Sequence, residues 1–147
     1  MADGPVLLCY DGFEPSRHAI AVAAGLLAEK RAVVLNVGPL EVVAEAYAAE
    51  GSGAADTSIA ASAQAAAVAE AGVAEARQVG FQAEPRSEVD TPVWRAIVGV
   101  ADELDASVIV LGSEGLTGLR ELMEGSVSHA VAAHAGRAVL VVTRPSG

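Results

Sequence analysis

Three glycines and a serine, spaced Gly112-x2-Gly115-x9-Gly125-Ser126, are the residues of this chain best suited to chemistry. Glycine lets a ligand approach the backbone closely, and bare N–H groups at a helix start, helped by the Ser126 and Ser128 hydroxyls, match what a phosphate needs. The bland alternative is that the glycines only turn the chain and Ser126 only caps a helix. In the phosphate reading, the amides of Gly115, Gly125, Ser126 and Val127 hold phosphate oxygens. Arg120 is the only basic residue of the loop and the candidate phosphate cap, with a solvated surface arginine as its ordinary role. Glu114 and Glu124 oppose this reading, since a carboxylate about 5 Å from a phosphate is repulsive by about 1 kcal/mol at high dielectric. An outward orientation, or a divalent cation between them, would relieve the conflict.

Other chemistries find no residue pattern. The loop lacks the Gly-Lys-Ser/Thr ending of a Walker motif, and no Ser/His/Asp order, Cys/His pair or zinc spacing is present. His129 and His134 lie five apart with no carboxylate spaced to complete a metal site, and with His18 they read as exposed helix residues. Trp94 reads as packing or interface.

The loop must be held by a strand before it and a helix after it. Val108-Ile109-Val110-Leu111 is an unbroken apolar run, and a helix is expected from about Ser126 to Ala135 with Val127, Ala130 and Val131 inward. The same alternation runs through the chain. Val6 to Tyr10 reads as a buried strand ending at Asp11-Gly12, and a helix with Pro15 in its first turn follows, stopping near Lys30-Arg31. Ala32 to Val37 is a second strand. The segment from about 40 to 57 carries weak signal and reads as mobile around Gly51-Ser52-Gly53. A helix is expected from about Ser58 to Gly80, with Ala65, Ala69, Gly72, Ala76 and Val79 on one small-residue face. Gln82 to Arg86 is a weak strand, placed at a sheet edge by Pro85. Thr91-Pro92 predicts a capping hydroxyl and a proline at the first helical position, ahead of an apolar stripe of Val93, Ile97, Val100 and Leu104. Ala138 to Val142 is the last strand.

The sum is a single α/β domain over residues 1–147, a doubly wound open sheet of five strands with helices on both faces. A hydrophobic fraction of 52% with 3% aromatic residues suits parallel strands covered by helices. The net charge of −10 and pI near 4.6 disfavour nucleic acid and anionic membranes as partners. No apolar run approaches the ~20 residues of a membrane span, and no signal-peptide pattern opens the chain. The single Cys9 fits a reducing cytoplasm.

With its glycine spacing and the opening Leu7-Leu8-Cys9-Tyr10-Asp11-Gly12, the chain from Val6 to Val142 resembles the universal stress protein family, nucleotide-binding type. The resemblance implies strand order 3-2-1-4-5, ATP as ligand with Mg or Mn held mainly by its phosphates, and no metal held by protein side chains. It implies a homodimer paired through strand 138–142. It places the nucleotide against Cys9, Tyr10, Asp11, Val37, Leu111, Gly112, Glu114, Gly115, Arg120, Gly125, Ser126, Val127 and Ser128. Asp11 would accept hydrogen bonds from the nucleoside, or else form an Asx-turn or cap the following helix. Cys9, Tyr10 and Val37 would line the adenine pocket, or else be plain core. Phe13 stands where the family commonly has a hydroxyl residue, so the first helix loses that cap and Phe13 is expected to cover the site or a partner.

The implied function is a cytoplasmic sensor or regulator of the stress response. No general base for fast hydrolysis is present, so at most slow ATP hydrolysis or self-phosphorylation at Ser126 or Ser128 is expected. The rival reading, motivated by Glu114 and Glu124, is a dimeric interaction module that binds no nucleotide. An enzyme such as an ATP-dependent ligase, or a flavodoxin-like carrier, fits least, since a flavin site usually offers aromatics and this chain has few.

Overall fold

A computed structural model describes residues 2–38, 54–90, 92–113 and 120–143, with the side chains of 54–58 and 120–126 outside the description. Five strands form one sheet: β1 (Val6–Cys9), β2 (Arg31–Gly38), β3 (Gln82–Val89), β4 (Val108–Gly112) and β5 (Val139–Val142). All pairs are parallel and the order is β3-β2-β1-β4-β5. Among the described residues four helices cover it: α1 (Glu14–Leu26), α2 (Ala54–Gln78), α3 (Val93–Leu104) and α4 (Arg120–His134).

Strand alternation divides the core in two. Val6, Leu8, Tyr10, Val34 and Val110 pack with Ile20 of α1 and Val73 of α2 on one face. Leu7, Leu35, Ile109 and Leu111 pack with Ile97 and Val100 of α3 and Val131 of α4 on the other. A sheet buried on both faces needs apolar residues at every strand position, which is why β1 and β4 read as continuous hydrophobic runs.

Several boundaries differ from the sequence expectation. Helix α1 ends at Leu26, short of Lys30, yet Lys30 reaches back: its Nζ donates to Ala24 O at 2.6 Å and Leu27 O at 2.8 Å. The cation thus serves the helix C-terminus from outside the helix. Helix α2 is already formed at Ala54, ahead of Ser58, so the segment expected to be mobile at about 40–57 lies mostly outside the described residues and its last four positions are helical. The small face of α2 buries Ala61, Ala65, Ala69, Val73 and Ala76, whereas Val79, expected there, is past the helix and 40% exposed. Closeness is needed at Gly72, where a Cβ would stand 2.6 Å from both Tyr10 Cδ2 and Val34 Cγ1.

Strand β3 runs on to Val89, three residues beyond the expected end, because it pairs along the whole of β2, from Arg31↔Gln82 to Gly38↔Val89. It is an edge, as Pro85 predicts. The predicted Thr91 cap lies outside the described residues. Pro92 keeps an extended backbone (φ −77°, ψ 151°), so it precedes α3 rather than starting it. The largest difference is in α4, expected from about Ser126 but helical already at Arg120, the first described residue of that segment.

Candidate functional site

The order of the sheet reverses at β1, which pairs with β2 on one side and β4 on the other. Beyond the carboxyl ends of β1 and β4 lies the position where ligands bind open sheets of this kind. There Asp11 follows β1 and Gly112 closes β4.

The two ends meet through the first turn of α1. A Cβ on Gly112 would stand 2.8 Å from Pro15 O and 3.3 Å from Ser16 N, so the glycine is required by the approach of α1 to β4. Gly12 turns the chain into α1 with φ +91°, a conformation that favours glycine. Asp11 forms the Asx-turn: its Oδ1 accepts from Phe13 N at 2.9 Å and from Ser16 Oγ at 2.7 Å. Phe13 is the N-cap residue of α1 and supplies no side-chain cap, as expected; Asp11 Oδ1 takes the N–H of Phe13 itself. The Phe13 ring is exposed.

The expected pocket residues divide between the faces. Cys9, Val37, Leu111 and Val127 belong to the α3/α4 side, where Cys9, Val37 and Val127 are partly buried around the same cluster as Val93 and Trp94. Tyr10 points to the other side. It is 5% exposed, its ring lies under Gly72, and its hydroxyl engages Arg17, raising that guanidinium's pKa. The Cys9 thiol is pushed up to about 12, first by burial and second by the negative charge of Asp11. It is therefore a poor nucleophile near neutrality.

Glu114 and Gly115 lie outside the described residues. Arg120, Gly125 and Ser126 are in the α4 backbone, with side chains outside the description, and Ser128 is half-buried on the same helix. Gly125, Ser126 and Val127 lie more than four residues into the described part of α4, so their N–H groups have intrahelical acceptors. No group of three or more His, Cys, Asp or Glu side chains among the described residues could hold a metal. His129 and His134 are exposed, as expected, while His18 is half-buried. Trp94 packs on the α3/α4 side and stacks on His134, with ring centroids 4.6 Å apart at 21°.

Two residues of this site were not singled out by the sequence reading. Ser16 and Asn36 are buried, and both bond to the Tyr10–Asp11 junction. The available signal was an asparagine inside the otherwise apolar run Ala32 to Val37.

Comparison with known proteins agrees with this architecture. The model of the universal stress protein family matches residues 4–143. Universal stress protein YxiE of Bacillus subtilis is 41% identical over 68 residues, which cover 46% of this chain and 45% of that protein. Universal stress protein MJ0577 of Methanocaldococcus jannaschii is 36% identical over 70 residues, covering 48% and 43%. The matched segments thus span just under half the length of these curated relatives. The solved MJ0577 structure superposes with a TM-score of 0.70 over 100% of both chains at 24% identity. A universal stress protein in complex with cAMP gives 0.64 at 24% identity, over 97% of this chain and 98% of that one. One from Archaeoglobus fulgidus in complex with dAMP gives 0.64 at 20%, over 97% and 99%. At these identities the structural matches speak for the fold, while the family match runs nearly end to end. This chain belongs to the universal stress protein family.

Proposed function

We propose that the protein binds an adenine nucleotide, ATP with Mg or Mn, over the carboxyl ends of β1 and β4, and acts as a sensor or regulator of the stress response in the cytoplasm. The observation that carries this reading is the meeting of Asp11, the first turn of α1 and Gly112 where the sheet order reverses. Structurally similar proteins in complexes with cAMP and dAMP support the adenine class. The adenosine would sit against Cys9, Val37 and Leu111 with Asp11 as acceptor, and the phosphates would lie toward Gly112, Gly115 and the start of α4. The metal would be carried by the phosphates and neutralise the charge that Glu114 and Glu124 oppose. Titration with a fluorescent ATP analogue and Mg is expected to saturate. Absence of saturable binding up to millimolar nucleotide with either metal would overturn the reading.

One observation favours the second reading, a dimeric interaction module without nucleotide. With Gly125 and Ser126 inside α4, phosphates reach their amides only if the helix opens there. Replacing Glu114 by Arg and Glu124 by Leu separates the two. A large gain in ATP affinity marks a native loop that has lost its ligand, and a small change supports the first reading.

Dimerisation through β5 belongs to both. Among the described residues β5 pairs only with β4, and Val141 is 37% exposed. An unpaired apolar edge invites another strand, and a second copy pairing 138–142 about a two-fold axis would cover it.

A further inference from the structure

Among the described residues, Ser16 at 5% and Asn36 at 9% exposure are the buried polar side chains, and they come from different elements to the same peptide unit. Asn36 Nδ2, from β2, donates to Tyr10 O at 2.9 Å. Asp11 N donates to Ser16 Oγ, from α1, at 3.2 Å. The carbonyl and the N–H of the Tyr10–Asp11 peptide are therefore both pinned, just past the last β1–β2 register pair, Cys9↔Leu35. The Ser16 hydroxyl proton then goes to Asp11 Oδ1 at 2.7 Å, the shorter and charge-assisted bond compared with Phe13 O at 3.0 Å. Phe13 N binds the same Oδ1 at 2.9 Å. Asp11 Oδ2 makes none of these bonds.

Burying a polar side chain costs free energy that its hydrogen bonds only offset. A strand end facing water would need no such support, because solvent can satisfy its last carbonyl and amide. Two buried side chains on one peptide fix the orientation of the Asp11 backbone, and two donors on one carboxylate oxygen fix its side chain. We propose that Ser16 and Asn36 are positioning residues that hold the Asp11 carboxylate in one geometry, so that its free oxygen selects a ligand with a matching donor, an amino or ribose hydroxyl group of a nucleoside. The ordering cost is met on folding rather than on binding, which raises affinity and sharpens selection. This rests on the nucleotide reading above for the ligand, and on the hydrogen bonds alone for the positioning.

Calorimetric titration of Mg-ATP into full-length wild type, Ser16→Ala, Asn36→Leu, Asp11→Ala and the double variants tests it. Ser16→Ala and Asn36→Leu are each expected to weaken binding about five- to tenfold in the presence of Asp11 and to have no further effect once Asp11 is alanine. Ser16→Thr, which keeps the hydroxyl, restores binding. A purely structural role predicts the same loss with or without Asp11, and that result overturns the proposal. Amide hydrogen exchange of the ligand-free protein gives the independent readout: Ser16→Ala is expected to accelerate exchange at Asp11 and Phe13. Unchanged exchange at both amides overturns the positioning even if nucleotide binds. If wild type binds no nucleotide, the functional reading fails and the exchange result alone decides the positioning.

Discussion

Gly112 and Gly72 are glycine for reasons of contact rather than turn geometry. A Cβ at Gly112 meets the Pro15 carbonyl at 2.8 Å, and one at Gly72 meets a buried ring and a buried valine at 2.6 Å. Alanine at either is expected to cost about 1–3 kcal/mol through overpacking, more than any gain in chain entropy returns. Gly99 is the control. It lies within α3, and a Cβ there would meet nothing within 4 Å, so Gly99→Ala is expected to stabilise by about 1 kcal/mol through helix propensity. Urea denaturation of the three variants reads all of these, and equal effects would refute the contact account. Cys9 makes a second residue-scale prediction. Its thiol is raised from 9.0 to about 12, so at pH 8 its thiolate population is about a thousandfold below that of an ordinary cysteine, and a disulfide reagent should label the native protein far more slowly than the denatured one. Between those two pKa values the unfolded thiol loses its proton while the folded one keeps it. Stability from this group therefore falls as pH rises through that window, and Cys9→Ala should remove that part of the alkaline slope.

At the scale of elements, α1 is held at both ends by residues outside it. Asp11 Oδ1 accepts from Phe13 N and Ser16 Oγ at its start, and Lys30 donates to Ala24 O and Leu27 O at its end while lying 5.4 Å from the Phe81 ring centroid. Lys30→Met keeps the stem but loses both bonds and the cation–π contact, and about 1–2 kcal/mol of stability should go with them, read by thermal or urea unfolding. A loss no larger than that of a typical surface lysine would show that solvent replaces these contacts. The element signals legible in the sequence were the periodic ones. Apolar runs placed β1, β2 and β4, and Pro85 placed β3 at an edge. Helix ends were less legible: α1 stops at Leu26, and Lys30 serves its last carbonyls from outside the helix. The part of Ser16 in the Asp11 turn was likewise hidden, since it needs the turn at Gly12 to bring residues 11, 13 and 16 together.

For the whole molecule, the β5 edge, unpaired among the described residues, predicts self-association. Sedimentation at micromolar concentration is expected to give a dimer, and Val141→Lys, which sets a charge on the exposed edge, is expected to give monomer with the fold intact by circular dichroism. A wild-type monomer would refute pairing through β5. No helix among the described residues is long and apolar enough to cross a membrane.

The amino-acid order by itself determined the α/β alternation, the two-sided burial of the central strands and the glycine-serine spacing that resembles the family, because each is a local pattern of side-chain type along the chain. Only the tertiary structure decided that Gly112 yields to Pro15, that Tyr10 turns away from the face shared by Cys9, Val37 and Leu111, and that Ser16 and Asn36 grip one peptide. Those contacts join residues 5 to 97 positions apart, and their energies exist only once packing has brought the atoms within a few ångströms.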